Sequence, residues 1–413
     1  MRILSGRAAV ARVRELANRG AQLGSVEPLV QRIVKDVRRN GDGALRKYAQ
    51  RWDGLAKNES LLVGPHAITK AWESSPSQFR SALRVAAKNV RQFCEWQKPK
   101  EWTRNRNGIS VGQLVRPLES VGCYVPGGRY PLVSTLLMTV IPAQVAGVRN
   151  IRVVSPQPRS EVLAAAGFLG ITEFYRVGGA QAIAALAYGT KTIPRVDKIV
   201  GPGNLYVTAA KKLVSFDCSI DFLAGPTEVV ILSDDGQPEF IAADLVAQAE
   251  HDPEALAVFI TTSSTLAKAV AEQTKLQARD NSLARESLRR HGVVVVAQSR
   301  GQAIEWANRL AAEHITVSRR DLPEIQNAGS VFVGDYSPQA AGDYASGPNH
   351  VLPTAGGARF RGGLSVMDFV KLITVQELSS KGLQRIAPTI ECLAETEGLV
   401  AHAQSIRIRG RHA

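Results

Sequence analysis

From about residue 119 onward, short runs rich in valine and isoleucine alternate with longer amphipathic or alanine-rich runs. That alternation is the strongest constraint on the fold, because strand and helix periods repeating in turn specify a parallel α/β layout. "SVGCYVPGG" reads as a strand ending in a turn, and "STLLMTVIPAQVAGV" as a helix that Pro142 should kink. Strand "NIRVVS", helix "EVLAAAGFL", strand "EFYRVGG", helix "AQAIAALAYG", strand "DKIVGPGN" and helix "LYVTAAKKLVS" follow. A second series runs through "TEVVILSD", "PEFIAADLVAQAEH", "ALAVFITT", a long helix from about 264, "GVVVVAQ", a helix near 301–313, "HITVS" and "SVFVGD". The fold class expected is α/β, with two successive Rossmann-like parallel-sheet units. A helical N-terminal segment precedes them and a helical C-terminal tail follows.

Residues 26–50, "VEPLVQRIVKDVRRNGDGALRKYAQ", break at Gly41-Asp42-Gly43 and read as an amphipathic helix pair. From about 373 the pattern is helical again and ends in "SIRIRGRHA", which reads as a short alternating strand. No low-complexity linker divides the chain. The expected partition is an N-terminal helical segment at 1–25, a first α/β domain from 26–123 with 227–365, a second from 124–226, and a tail from 366–413.

The net charge of +14 could suggest a nucleic-acid binder. The basic residues are scattered, however, with no block and no interleaved aromatics, which argues against that class. A basic surface also suits a small anionic ligand such as a dinucleotide. Cysteines 94, 123, 218 and 392 form no CxxC pair, so buried thiols in a reducing compartment are expected. There is no apolar signal core at the N-terminus and no run of about 18 apolar residues. A cytoplasmic protein, without membrane partners, is the expectation.

The dinucleotide fingerprint GxGxxG is absent. Three glycine-rich loops nevertheless follow strands: "YVPGGRYP" at 124–131, "VGGAQA" at 177–182 and "GPGN" at 201–204. Singly each reads as a plain turn; together, at the carboxyl ends of one sheet, they outline a binding crevice. Two Glu-His pairs stand out among seven histidines: Glu250-His251 in "AQAEHDP" and Glu313-His314 in "AEHITV". Either pair could be a solvated helix end or placed chemistry. Gln248 and His251 share a helix face, where they could ligate a metal or merely end the helix before Pro253. "AAGDYASGPNHVLP" carries Asp343 and His350, and "ETEGLVAHAQ" carries Glu397 and His402. His66, His291 and His412 receive no role.

These stretches together resemble the histidinol dehydrogenase family. The resemblance also rests on "DFLAGPTEVVILSD", "AGSVFVGDYSPQAAGDYASGPNHVLPT" and "GLSVMDFVKLITVQELS", and covers about 26 to 405. It implies zinc ligation by Gln248, His251, Asp343 and His402, and an acid/base pair in Glu313 and His314. Tyr124, Gln181 and Asn204 would contact NAD+. Thr227, where the family often has serine, His314, His350 and Glu397 would contact substrate together with the metal ligands. The implied reaction is L-histidinol to L-histidine through L-histidinaldehyde, with two NAD+ reduced. His314 would serve as base, Glu313 would activate the hydrating water, and Glu250 would be peripheral. The resemblance further implies a homodimer in which each tail completes its partner's site. Alternatives are a sulfopropanediol-type dehydrogenase of the same scaffold and a catalytically dead binding homologue.

Overall fold

The computed structural model describes residues 1–20, 23–127 and 130–410. Two parallel sheets organise them. The larger runs in the order Arg2–Ser5, Val293–Val296, Leu256–Thr261, Glu228–Leu232, His314–Val317, Ser330–Val333. All of its pairings are parallel. The smaller runs Glu173–Tyr175, Asn150–Val154, Ser120–Tyr124, Lys198–Val200, Ser219–Ile220, again parallel throughout. Strands buried on both faces need apolar residues at every position. "EVVIL" and "LAVFIT" supply them at all but Glu228 and Thr261, and both strands are buried end to end.

The domain boundary expected at 123 does not follow the sheets. Ser120–Tyr124 is the central strand of the smaller sheet, so a cut there would split a strand pair. Helix Glu27–Asn40 packs Val30, Ile33 and Val37 against Ile183 and Val207 of that same unit. Helix Ser77–Gln97 buries Leu83, Ala87 and Val90 beside Leu136 and Ile141. The helices of residues 26–97 and strand Ser120–Tyr124 therefore belong with the 124–226 unit, because their partners lie there, whereas 102–117 pairs elsewhere. The N-terminal segment opens with a strand before helix Gly6–Ala17; Arg2–Ser5 extends the larger sheet beside Val293–Val296.

The tail also differs from expectation. Val370–Leu378 is a strand rather than the start of a helix. Its β-branched "VKLITVQEL" pairs antiparallel along its whole length with Ile109–Pro117, which in turn pairs with Trp102–Arg106. Helix Ser380–Thr396 follows, and the expected strand near 405 is part of helix Val400–Gly410. There Arg407 reaches Glu391 at 2.9 Å and also pairs with Glu395. Those contacts to the preceding helix outweigh the short alternation of Ile406 and Ile408. Residues 411–413 lie outside the described residues. The long helix expected from 264 is two, Ser264–Gln277 and Ser282–Arg290, the second capped by Asn281. Pro142 sits inside helix Val133–Ala146, which continues past it. Cys94, Cys123 and Cys218 are buried, whereas Cys392 is exposed on the tail. No described helix is long and apolar enough to cross a membrane.

One buried ion pair ties the smaller sheet to its ligand-facing edge. Lys211 and Asp221 are almost fully buried and in contact. Lys211 also donates to the Gly201 carbonyl at 3.0 Å, and the Gly201 N–H donates to Asp221 at 2.8 Å. Removing one member of such a pair strands the other charge in a medium that cannot solvate it. Lys211→Met is therefore expected to lower stability by about 3–5 kcal/mol, measured by urea unfolding. A loss under about 1 kcal/mol would mean the pair is solvated and holds nothing.

Candidate active site

The register of the larger sheet sets the first half of the site. His314 stands opposite Val229, one residue past Glu228. This places Glu313 and His314 beside Thr227 and Glu228, at the amino ends of two adjacent central strands. Both residues of the Glu-His pair are buried. Thr227 Oγ1 donates to Glu313 Oε2 at 2.5 Å, and the Glu228 N–H donates to the same oxygen at 2.8 Å. Among the described residues nothing donates to Oε1, so it is the oxygen left for an incoming molecule. Burial pushes the Glu313 carboxyl up to about 7, against the downward pull of His314 and those two hydrogen bonds. A carboxyl so tuned exchanges protons near neutrality.

His314 Nδ1 lies 3.2 Å from the Glu228 carbonyl oxygen. A carbonyl can only accept, so Nδ1 carries a proton, and in the neutral ring Nε2 is the nitrogen that presents its lone pair. Nε2 lies 3.6 Å from Asp343 Oδ1. Burial acts to lower the imidazole's proton affinity, but Glu313 and Asp343 together outweigh it and leave the pKa raised.

Asp343 lies on helix Gln339–Tyr344, and its backbone carbonyl accepts from His350 Nδ1 at 2.7 Å. Burial resists the Asp343 charge, but His314, His350 and His251 hold the carboxyl below its ordinary value. Burial dominates at His350 and lowers its pKa, leaving a neutral ring with Nε2 free to accept. Gln248 sits on the last turn of helix Pro238–Ala249 and donates its amide to Thr227 Oγ1. The Thr227 hydroxyl thus links Gln248 to Glu313, a positioning duty that local sequence did not reveal. The same bond fixes the Gln248 amide and leaves its oxygen available. His251, three residues on, is exposed at the helix end. Glu250 is on the surface, where it accepts from Asn281 at 2.9 Å.

Gln248, His251 and Asp343 therefore come together with Glu313, His314 and His350. Glu397 and His402 do not: both are exposed at the junction of the tail helices and contact none of these residues. Among the described residues no three His, Cys, Asp or Glu are arranged to hold a metal. The donor set that does assemble is an imidazole, a carboxylate and an amide oxygen held by Thr227. Its chemistry fits zinc, one ligand short of a four-ligand shell.

The second half of the site lies at the carboxyl ends of the smaller sheet. The Gly179 N–H donates to the Tyr124 hydroxyl at 3.1 Å. Gln181 Nε2 and the Gly178 N–H both donate to Asp53 Oδ2, at 3.1 and 3.0 Å. Asp53 was not singled out from sequence, because its partners lie more than a hundred residues away. Asn204 caps helix Leu205–Val214, accepting from the Tyr206 and Val207 N–H groups. Gly201 must be glycine: its φ is +113°, and a Cβ there would lie 2.2 Å from the Tyr124 carbonyl oxygen. Loops and helix N-termini at such an edge suit a phosphate-bearing ligand. Of the loop at 124–131, residues 128 and 129 lie outside the described residues. Thr208 Oγ1 donates to the Ala224 carbonyl at 2.9 Å, joining this edge to the loop that leads to Thr227.

Comparison with known proteins agrees with this architecture. The sequence profile of the histidinol dehydrogenase family matches residues 16–410. A histidinol dehydrogenase of Methanothermobacter thermautotrophicus is 47% identical over 417 residues, covering 97% of each chain. One of Methanosarcina mazei is 44% identical, covering 97% of this chain and 95% of that one. The crystal structure of histidinol dehydrogenase from Elizabethkingia anophelis superposes with a TM-score of 0.95 at 35% identity, covering 100% of this chain and 98% of the other.

The raised Glu313 pKa has a consequence for stability. Between its ordinary value of 4.5 and about 7, the folded chain holds a proton that the unfolded chain has released. Stability from this group therefore falls as pH rises through that window. Glu313→Gln keeps an oxygen to accept from Thr227 and Glu228 but cannot ionise. Relative to the parent, its melting temperature is expected to be higher at about pH 8 than at about pH 5. A difference that does not grow with pH would show that the carboxyl ionises as easily folded as unfolded.

Proposed function

The chain belongs to the histidinol dehydrogenase family, and we propose that it oxidises L-histidinol to L-histidine through L-histidinaldehyde, as the last steps of histidine biosynthesis in the cytoplasm. The observation that carries the reading is the buried Glu313–His314 pair, linked through Thr227 to Gln248 and through His314 to Asp343. When bound, zinc would supply a fixed point for the substrate's imidazole and amine, and NAD+ would supply the hydride acceptor for each of the two oxidations.

The remaining work falls to the chain's own groups. His314 Nε2, whose lone pair is kept free by the Glu228 carbonyl, takes the proton of the substrate hydroxyl in each oxidation. Between the two, water must add to the aldehyde: Glu313 Oε1 accepts the proton that water gives up, and the proton held by His314 returns to the former carbonyl oxygen, which frees the base for the second oxidation. His350 offers a neutral Nε2 to a substrate N–H or O–H. Zinc would be held by Gln248, His251 and Asp343, with His402 as the fourth ligand. Tyr124, Gln181 and Asn204 would contact NAD+ from the smaller sheet.

His402 and Glu397 reach a site only if a second copy of the chain supplies them. The tail supports this. Val370–Leu378 is almost wholly exposed, with Leu372, Ile373, Val375 and Leu378 uncovered; so are Leu393, Leu399, Val400 and Ile408 beyond it. Apolar surface of this extent marks an interface. A homodimer with exchanged tails covers it and completes two sites.

Two experiments test the reading. NADH production should be seen with L-histidinol and not with sulfopropanediol, and His314→Asn should reduce turnover by about 100-fold or more without loss of zinc. Near-normal turnover in that variant would remove His314 as the base. Mixing a His402→Ala chain with a His314→Asn chain should restore activity after subunit exchange. Verified mixed dimers that stay inactive would mean each site is built within one chain.

A further inference from the structure

Glu228 is the residue on which the acid/base pair rests, yet its own carboxylate faces away from the reaction. Its N–H donates to Glu313 Oε2 at 2.8 Å, and its carbonyl oxygen lies 3.2 Å from His314 Nδ1. Its side chain turns the other way and gathers three distant segments. Arg19 clamps it in bidentate fashion, Nε to Oε1 and NH2 to Oε2, each at 2.5 Å. The Ala355 N–H donates to Oε1 at 2.9 Å, and the Glu313 N–H donates to Oε2 at 3.4 Å. Ala355 holds a left-handed backbone with φ of +52°, unfavourable for a residue with a Cβ. Arg19 is itself anchored by NH1 to the Leu16 carbonyl at 2.7 Å. Just ahead, Arg359 grips the Ala17 and Arg309 carbonyls at 2.9 and 2.7 Å.

We infer that Arg19 and Glu228 are positioning residues for Glu313, the guanidinium holding the Glu228 carboxylate so that Glu313 and the chain beneath it keep their geometry and bear no uncompensated charge. The inference rests on the proposed roles of Glu313 and His314. A simple structural staple would require only the clamp. The arrangement here does more, because the Glu228 carboxylate is 4% exposed and abuts the backbone of a second carboxylate. Water cannot screen it at that depth, and its charge already adds to the upward push on the Glu313 carboxyl; without a cation to offset it that push would grow. Arg19 is that cation, and its planar fork fixes both carboxylate oxygens as a lysine could not. In this way the segment before residue 26, which carries no site residue of its own, enters the chemistry of the larger sheet.

The test uses the full-length protein with zinc and NAD+, comparing Arg19→Met, Arg19→Lys and the double variant Arg19→Met with Glu228→Gln. Turnover and KM are read with L-histidinol and with L-histidinaldehyde, alongside zinc content and melting temperature. Arg19→Met should lose about tenfold or more in turnover, with a larger loss from the aldehyde, where Glu313 acts, and zinc content unchanged. The double variant should be faster than Arg19→Met, since removing the stranded charge relieves the fault. A staple alone predicts the reverse, because the second change removes further contacts. A double variant no faster than Arg19→Met overturns the inference, as does Arg19→Met turnover within about twofold of the parent. Should Arg19→Met fail to fold, Arg19→Lys decides: a selective loss at the aldehyde stage supports positioning, and equal losses or none overturn it. A parent chain inactive on histidinol would instead refute the proposed function.

Discussion

The pairing of strand His314–Val317 with strand Glu228–Leu232 is the constraint on which the rest of the site depends. Side chains alternate faces along a strand, so a slip of one residue would exchange the buried set for its opposite. In the register seen, His314 falls opposite Val229. The Glu228 peptide is then presented between Glu313 and His314, donating to one and accepting from the other. Backbone groups cannot rotate away as side chains can. The tautomer of His314 and the choice of free oxygen on Glu313 thus follow from sheet geometry rather than from flexible contacts. Burial of Val229–Leu232 on both faces, and of Ile315 and Val317 on one, holds that register.

The two sheets contribute opposite edges. Tyr124, Gln181 and Asn204 follow strands of the smaller sheet and stand at its carboxyl edge, the usual place for ligands in parallel sheets. Glu313, His314 and Thr227 precede or begin strands of the larger sheet and stand at its amino edge. Helix Pro238–Ala249 runs back down the larger sheet and so delivers Gln248 to that same edge. The general rule about carboxyl ends locates only half of the site. The other half is fixed by a connecting chain, where Thr208 holds the Ala224 carbonyl and Thr354 accepts from the Gly225 N–H.

What the sequence disclosed follows the range of the physics involved. Strand and helix periods are local, and the order of elements from 119 to 333 was readable from them, save the short strand Ser219–Ile220 and the break between Ser264–Gln277 and Ser282–Arg290. The membership of the helices of residues 26–97 was not, since an amphipathic helix states that it has an apolar face without saying which sheet covers it. Val370–Leu378 looked helical because its pairing partner, Ile109–Pro117, lies some 260 residues away. Each individual site residue had an innocent local reading, and only their combination as family motifs singled them out. Glu228, Arg19 and Asp53 escaped for a further reason. They work through hydrogen bonds to other protein groups across long sequence separations, and a lone Arg or Asp at a helix end carries no signature of that.

The third sheet shows why chemistry and assembly are tied in the proposed reading. Three antiparallel strands with both faces largely exposed cannot gain enough from burial to offset the ordering of their backbone. Within one chain the tail helices touch through Arg407 and its two glutamates but leave Leu393, Leu399 and Val400 bare. The missing burial and the fourth ligand that the proposed zinc site would need point to the same place, because Glu397 and His402 sit at the junction of those two helices. A second chain laid against the tail would supply both at once. A bound ion spanning the two chains would then stabilise the dimer by as much as the dimer stabilises the ion's binding, as linkage requires. A chain without its partner would keep the base, the acid and the crevice, yet lack what fixes the substrate before them.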